Sequence, residues 1–206
     1  MEIKEKHSPN AEEKILSAAI KEFAEFGLAG ARVDRIANRA EVNKAMIYYY
    51  FRSKENLYQT IINRHFTRIG KLLEEKIDPE DSPELIFFKL AQSYDAVFEK
   101  NGELVPIFLR EVASGGDRMN KILVDILTKK GLVAKLQQII DRGKRNGLFR
   151  KVDSRQAIIS FVGMNLYYLI MSPIVNSVLE IKNQKEFRQK RQKEVVDLFL
   201  HGLEVK

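Results

Sequence analysis

The sequence contains no cysteine and only three histidines among its 206 residues. Without cysteine the chain can form neither a disulfide framework nor a thiolate metal site, and this composition fits a reducing cytosol. The histidines, His7, His65 and His201, are scattered and show no metal-ligand spacing. A glycine-rich phosphate loop is also missing from the sequence. We therefore predict neither a metal site nor a bound cofactor.

Residues that could form a catalytic site do not occur in a recognisable arrangement. The 28 acidic residues are abundant, but they fall on charged faces, where a solvated surface is their usual role. We therefore predict that the protein is not an enzyme.

Residues 156–179 form a run of 24 without a charged side chain, which exceeds the ~20 apolar residues that span a bilayer. The run contains Ser160, Asn165 and Pro173, so it is not continuously apolar. A helix that is apolar on most sides is also typical of the interior of a helical bundle. Residues 1–13 lack the apolar core of a signal peptide. We expect no membrane attachment and a cytoplasmic location, and a membrane-attached protein is the alternative.

The chain is basic, with a formal net charge of +7 and a pI near 9.4, which favours anionic partners. Residues 1–54 hold ten Lys and Arg against eight Asp and Glu, a net charge of only +2. The densest basic run lies far away, at residues 182–193. Bulk charge therefore supports nucleic-acid binding only weakly, and the hypothesis depends on local geometry.

Helical periodicity and turn signals predict an all-α protein of about nine helices. We expect a helix-turn-helix domain over residues 1–53 and a second helical domain over residues 54–206. A single helix over residues 119–145 and an uncharged helix that ends near Pro173 belong to this prediction.

Two short helical patterns lie almost in contact between Val33 and Lys54. The first carries an apolar stripe, and Asn43 can cap the second, which runs from Lys44 to Phe51. A short second helix that shows lysine and tyrosine outward is what a helix-turn-helix protein needs to enter the major groove. The alternative is that the tyrosines are half-buried aromatics. The predicted DNA contacts are Arg32, Asn43, Lys44, Ala45, Met46, Tyr48, Tyr49, Tyr50 and Lys54.

A set of residues within 12–58 follows a known family pattern in order and without gaps: Lys14-Ile15-Leu16, Ala18-Ala19, Phe23-Ala24-Glu25, Gly27, Ile36-Ala37, Ala40, Val42, Lys44, Tyr48-Tyr49, Phe51, Ser53-Lys54-Glu55 and Leu57. With these residues the segment resembles the DNA-binding domain of TetR-type (tetracycline-repressor-like) transcriptional regulators. The resemblance implies double-stranded operator DNA as a partner.

Three positions depart from the family pattern. Arg32 follows Ala31 where a capping Thr or Ser is usual, so we expect a weaker cap and a phosphate contact from Arg32. Glu41 replaces the usual turn glycine, so the turn either avoids positive φ or carries strain. Ala45 replaces a glycine that permits close approach to DNA.

The second domain is rich in aromatic and methionine side chains, which suit an adaptable apolar site and suit a plain core equally. The resemblance implies that a small effector binds in this domain. The candidate ligand-binding residues are His65, Tyr94, Phe98, Phe108, Arg110, Glu111, Met164, Asn165 and Tyr168.

The resemblance also implies a homodimer, in which the uncharged helix and the last helix of each subunit form a four-helix bundle. Two reading helices would then face half-sites spaced by ~34 Å or a multiple of it. The predicted function is a repressor that a small apolar or amphipathic ligand releases from a palindromic operator, and the alternative is a ligand-independent DNA-binding scaffold. The predicted dimer contacts are Phe161, Gly163, Val195, Val196, Phe199 and Leu203.

Overall fold

The computed structural model describes residues 9–78, 80–129 and 131–205. These residues form ten α-helices and one isolated antiparallel bridge between Phe149 and Glu204, which confirms the all-α prediction. A 3₁₀ turn, Gly102–Leu104, precedes α6, and a π turn, Asp125–Lys129, follows α7. The helices are α1 (Pro9–Gly30), α2 (Val33–Ala40), α3 (Lys44–Phe51), α4 (Lys54–Glu74), α5 (Pro83–Asn101), α6 (Val105–Ala113), α7 (Asp117–Val124), α8 (Leu132–Arg145), α9 (Ser154–Val178) and α10 (Gln184–Leu203).

The chain packs as two units. Unit 1 comprises the described part of Met1–Thr67 together with Asn101–Leu123, and unit 2 comprises the described parts of Arg68–Lys100 and Val124–Lys206. The border falls inside α4, whereas the predicted domain boundary lies between residues 53 and 54. Unit 1 also includes α6, which packs against α1.

Unit 1 is built on the apolar face of α1. Phe23 has no exposed surface and meets the ring of Tyr58 on α4 edge-on, at 4.9 Å between centroids. Ile36 of α2 and Ile47 of α3 are buried in the same unit. Burial of one such side chain stabilises the fold by about 1.5–3 kcal/mol, so these contacts hold the two short helices in place.

Unit 2 has a separate core between α5, α8, α9 and α10. The rings of Phe87, Phe161 and Phe199 form an aromatic cluster with centroids 4.8–5.1 Å apart. Gly143 of α8 leaves room for Phe149, because a Cβ atom at this position would lie 2.2 Å from Phe149 Cδ2. The core is therefore tightly packed at the end of α8.

Five of the six predicted dimer contacts are buried within the single chain. They lie in the core of unit 2 and are Phe161, Val195, Val196, Phe199 and Leu203. Each exposes less than a tenth of its surface, and their place in a dimer stays a prediction. An amphipathic helix buries its apolar stripe against its own chain first, and the sequence pattern alone does not say which partner covers it. Gly163 alone among the six predicted contacts is exposed.

Two predicted helix boundaries were wrong. The helix over residues 119–145 is divided into α7 and α8, and Gly131 lies between them at φ 68°. Helix α9 continues through Pro173 to Val178. Proline cannot donate to the carbonyl four residues earlier, and the Ser172 hydroxyl donates to that Leu169 carbonyl instead, at 3.3 Å. The Leu169 carbonyl therefore keeps a hydrogen-bond donor, and the helix continues past the proline.

Helix α9 has the length and composition of a membrane-spanning helix, with a mean hydropathy of 1.7 over its most apolar window, and within the described ranges it is the one helix that does. Much of this window is exposed in the single chain. Length and composition alone are weak evidence for a membrane span, because core helices pass the same test.

Candidate functional site

A buried carboxylate fixes α2 against α1. Glu22 has no exposed surface, and its Oε1 accepts hydrogen bonds from the Arg32 backbone N–H at 3.0 Å and from Arg35 Nε at 2.6 Å. Arg35 also donates to the Gly30 carbonyl and lies 4.1 Å above the Phe26 ring. These contacts satisfy the backbone N–H of Arg32, the residue before α2, and join α2 to α1. Arg32 makes no side-chain cap, in agreement with the weaker cap that we predicted.

The turn between α2 and α3 is left-handed at Glu41, with φ 56° and ψ 43°. The Glu41 N–H donates to the Asn38 carbonyl and the Val42 N–H to the Ala37 carbonyl, at 3.2 and 3.1 Å. Glycine adopts this conformation without penalty, whereas glutamate pays about 1 kcal/mol in backbone strain. The sequence left open whether the turn avoids positive φ or carries strain, and the structure shows positive φ at Glu41 and therefore a strained turn.

The exposed face of helix α3 carries a small side chain, Ala45, near its start and two tyrosine side chains near its end. Asn43 Oδ1 accepts from the Ala45 N–H at 2.8 Å, which confirms the predicted cap. Ile47 is buried beneath the helix, whereas the side chains of Tyr48 and Tyr49 are 44% and 61% exposed. Tyrosines that only filled a core would not leave this much surface in solvent.

Four of the predicted DNA contacts line a recess of about 380 Å³ beside α3, namely Arg32, Lys44, Tyr48 and Lys54. Lys44 Nζ lies 2.7 Å from Asp34, whose hydrogen bond raises the pKa of Lys44. Lys44 is therefore charged at neutral pH and held at the start of α3.

Lys54 and Ser53 are also placed at this recess. Lys54 Nζ donates to the Ala31 carbonyl at 3.1 Å. Ser53 Oγ accepts from the Asn56 N–H at 3.0 Å and so caps α4. Of the remaining predicted contacts, Met46 and Tyr50 are partly buried, and the Tyr50 ring lies 5.4 Å from that of Tyr49.

The nine candidate ligand residues are divided between the two units. Tyr94, Asn165 and Tyr168 line a cavity in unit 2 between α5, α9 and α10, with a volume of about 20 Å³. Met164 does not line it and is 37% exposed. The side chain of Phe98 lies outside the described residues.

Arg110 and Glu111 belong to unit 1 and bind different helices, since adjacent helical residues project about 100° apart. Arg110 donates to the Phe23, Ala24 and Glu25 carbonyls, where α1 breaks at Gly27 with φ 66°. Arg110 thus caps the main part of α1.

Glu111 is 3% exposed, accepts from the Tyr58 hydroxyl at 2.8 Å and lies 3.5 Å from Arg118. His65 and Phe108 also lie in unit 1, and the Phe108 ring is 6.1 Å from that of Phe66. Within unit 1, Arg110 and Glu111 therefore bind α6 to α1 and α4, and their part in ligand binding stays a prediction.

The cavity also contains residues that the sequence analysis missed. Asp95, Arg188, Arg191 and Gln192 line it together with the predicted tyrosines. Arg188 and Arg191 belong to a basic run, which is usually a solvated face. Their spacing of three residues on one helix face was the available signal. No three His, Asp or Glu side chains lie close enough to hold a metal ion in residues 9–78, 80–129 and 131–205, and the lack of a metal site stays a prediction.

Comparison with known families gives two matches that together span most of the chain. A family model for "Bacterial regulatory proteins, tetR family" matches residues 15–61. A model for "Tetracyclin repressor-like, C-terminal domain" matches residues 86–198. The first match covers α2 and α3, and the second covers all the residues that line the unit 2 cavity.

Two relatives are 30% identical to this chain. One is the HTH-type transcriptional repressor NicS of Pseudomonas putida, over 72% of this chain and 70% of NicS. The other is the HTH-type transcriptional regulator RutR of Escherichia coli, over 80% of this chain and 76% of RutR. Among solved structures, the regulator FadR of Bacillus subtilis in complex with stearoyl-CoA has a TM-score of 0.70 at 21% identity, covering 93% of this chain and 98% of that chain. This last likeness concerns the fold.

Proposed function

The chain belongs to the TetR family of bacterial regulatory proteins, and we propose that it acts as a cytoplasmic, homodimeric repressor. It binds a palindromic operator through α3 and leaves it when a small apolar or amphipathic ligand binds. The matched relatives are transcriptional regulators, one of them a repressor, and the structural neighbour was solved with stearoyl-CoA. These relatives support regulation as the function and give no support to an enzyme.

The exposed face of α3 carries the proposal. Ala45 leaves the start of the helix narrow enough for a groove about 12 Å wide. Lys44, Tyr48 and Tyr49 flank it with one cationic group and two hydroxyls that can bond phosphate oxygens. Buried Ile47 keeps this face turned outward.

The exposed side of α9 supports dimer formation. Ile159, Tyr167, Ile174 and Val178 are each more than half exposed and fall within about 100° of one another around the helix. Gly163 lies on the same stripe with open space above it. A second copy that covered this stripe would bury an apolar face too large for a soluble monomer to leave in solvent. The same stripe explains why α9 has the composition of a membrane span.

The dimer contact can be tested with Gly163→Arg, which adds a charged side chain where the single chain has no neighbouring atom within 4 Å. We expect a folded monomer in analytical ultracentrifugation, whereas Gly102→Arg, another open position, stays dimeric. A Gly163→Arg protein that remains a dimer would remove this face from the interface.

Operator selection tests the function as a whole. The protein is used to select bound sites from random DNA, with and without small-molecule extract from cells. We expect an inverted repeat whose recovery falls when extract is present. Selection that yields no common sequence would contradict the proposal.

The small volume of the unit 2 cavity, about 20 Å³, favours a second candidate function, a ligand-independent DNA-binding scaffold. Thermal shifts across a panel of lipophilic compounds distinguish the two functions. A shift with any class of compound supports an effector site, and a panel without effect supports the scaffold.

A further inference from the structure

Arg191 is a partly buried cation without a carboxylate partner in the described part of the chain. Its Nη2 donates to the Met164 carbonyl at 2.8 Å, and its guanidinium lies 5.4 Å from the centre of the Tyr168 ring. Its Nε is inaccessible to solvent and has no hydrogen-bond acceptor. Burial lowers the pKa of Arg191, yet a guanidinium stays protonated in proteins. A buried charged donor without an acceptor is unfavourable, and an added acceptor would relieve it.

The one carboxylate that lines the cavity is already engaged. Asp95 Oδ1 lies 2.8 Å from Arg188 Nε, a charged pair at contact distance even though the angle between them is poor. Asp95 Oδ2 accepts from Gln192 at 3.1 Å. Arg188 and Asp95 neutralise each other, so Arg191 gives the cavity one net positive charge.

We propose that the unit 2 cavity binds the carboxylate group of an acidic effector, with Arg191 as the charge partner and Tyr94 as a second donor. This inference rests on the proposed effector-responsive function and names the chemical class of the effector. Tyr94 lines the same cavity, and burial raises the pKa of its hydroxyl to about 12, so it keeps its proton at neutral pH. Ala91 and Leu169 supply apolar wall on either side.

The size and charge of the cavity favour a carboxylate over other anions. A volume of about 20 Å³ admits little more than a water molecule or a single small head group. A phosphate dianion has more oxygens than one guanidinium and one hydroxyl can serve. A dianion would also need a second cation, and Arg188 is already paired with Asp95, whereas a carboxylate needs only one cation. The apolar remainder of the ligand then lies against Leu169 and the Tyr168 ring.

The inference is tested with matched acids and amides. Binding of hexanoate and benzoate to the full-length protein is measured by calorimetry at constant ionic strength, beside hexanamide and benzamide. We expect the acids to bind at least about tenfold more tightly than the amides, because a charge-assisted pair replaces a neutral contact. Equal affinities for acid and amide, or no acid binding up to the solubility limit, would overturn the carboxylate site.

Arginine variants test whether Arg191 causes the preference for acids over amides. Arg191→Gln removes the charge and keeps a donor, so the preference for acid over amide should vanish. Arg150→Gln, at an arginine whose Nε donates to the Gly202 carbonyl, should keep the preference. If Arg191→Gln does not fold, Arg191→Lys keeps the charge and should retain a weaker preference. A preference that survives unchanged in Arg191→Gln would place the acid elsewhere and overturn the proposal.

Operator binding by the same preparations reports on the proposed function separately. Wild-type protein that binds selected DNA but shows no acid preference fails only the carboxylate inference. Protein that prefers acids but never binds a defined DNA site fails the proposed function and leaves the carboxylate site standing.

Discussion

The two units treat their buried charges differently. In unit 1, Glu22 is paired with Arg35 and a backbone N–H, and Glu111 with Tyr58 and Arg118. In unit 2, Asp95 is paired with Arg188, whereas Arg191 has no carboxylate partner among the described residues. Single atoms lack a hydrogen-bond partner in both units, since Glu22 Oε2 and Glu111 Oε2 share this property with Arg191 Nε. The units therefore differ in charge pairing: a paired charge fixes helices in one arrangement, whereas a cation without a charged partner offers a place for an anionic ligand. The ion pairs of unit 1 thus fix the helices around α3, whereas unit 2 keeps one cation, Arg191, available to a ligand.

The largest expected effect comes from Glu22→Ala, which removes the carboxylate that joins α1 to α2. Loss of one member of a buried pair typically costs 3–5 kcal/mol, and because the Arg35 side chain is 38% exposed we expect about 2–4 kcal/mol. Urea unfolding measures the change. Glu25→Ala is the matched control, because its pair with Arg39 is exposed and 3.7 Å long, and it should stay within about 0.5 kcal/mol of wild type. Similar losses in both variants would show that the buried pair has no special role.

Packing, not charge, should dominate the stability of unit 2. Gly143→Ala forces a methyl group to within 2.2 Å of the Phe149 ring, so we expect a loss of about 1–3 kcal/mol. The control Gly163→Ala meets no atom within 4 Å and should gain slightly, since alanine favours a helix interior. Thermal unfolding of both variants measures the difference, and an unaffected Gly143→Ala protein would show that α8 and Phe149 move apart easily.

Tyr58→Phe removes only the hydroxyl that donates to Glu111, and so it tests the hydrogen bond between α4 and α6. The variant leaves Glu111 without its closest donor, and we expect a loss of about 1–2 kcal/mol. Burial and then the Glu111 hydrogen bond raise the pKa of Tyr58 well above its ordinary value of 10.0. The folded state therefore holds this proton more tightly, and the contribution is complete below pH 10 and lost as the pH rises further. Unfolding measured from pH 8 to 11 should show a steeper decline for wild type than for Tyr58→Phe. Parallel declines would assign the loss to packing alone.

The smallest effect is expected from Arg191→Met, which replaces the unmatched cation by an apolar side chain of similar length. Removal of a charge that lacks a carboxylate partner is close to neutral, so stability should change by less than about 1 kcal/mol. Chemical unfolding provides the measurement. A loss as large as that of Glu22→Ala would mean that Arg191 is a structural residue, and the contrast between the units would fail.

A local rule predicted the Asn43 cap, because a cap depends on a few neighbouring residues. The Ser53 cap of α4 and the break of α1 at Gly27 depend on equally local geometry. The strain at Glu41 was visible as an alternative, but only the backbone geometry decides it.

The sequence did not predict contacts between residues that lie far apart along the chain. The apolar stripe that includes Phe161 and Phe199 signals burial, yet the pattern is the same whether the cover is the same chain or a second one. Arg191 looks like one more member of a solvated basic run until folding brings it to Tyr168. Arg110 and Glu111, adjacent in sequence, take separate roles because a helix points them in different directions.

The salt dependence of operator affinity tests the central claim, that α3 and its surroundings bind DNA, most directly. Affinity for a selected site is measured against salt concentration for wild type, Lys44→Ala and, as a control, Lys193→Ala on the exposed surface of α10. Each phosphate contact contributes about one unit to the slope of log affinity against log salt. We predict that Lys44→Ala weakens binding to all sequences alike and lowers the slope by about one, while Lys193→Ala changes neither. A Lys44→Ala protein with wild-type affinity and slope would contradict the account.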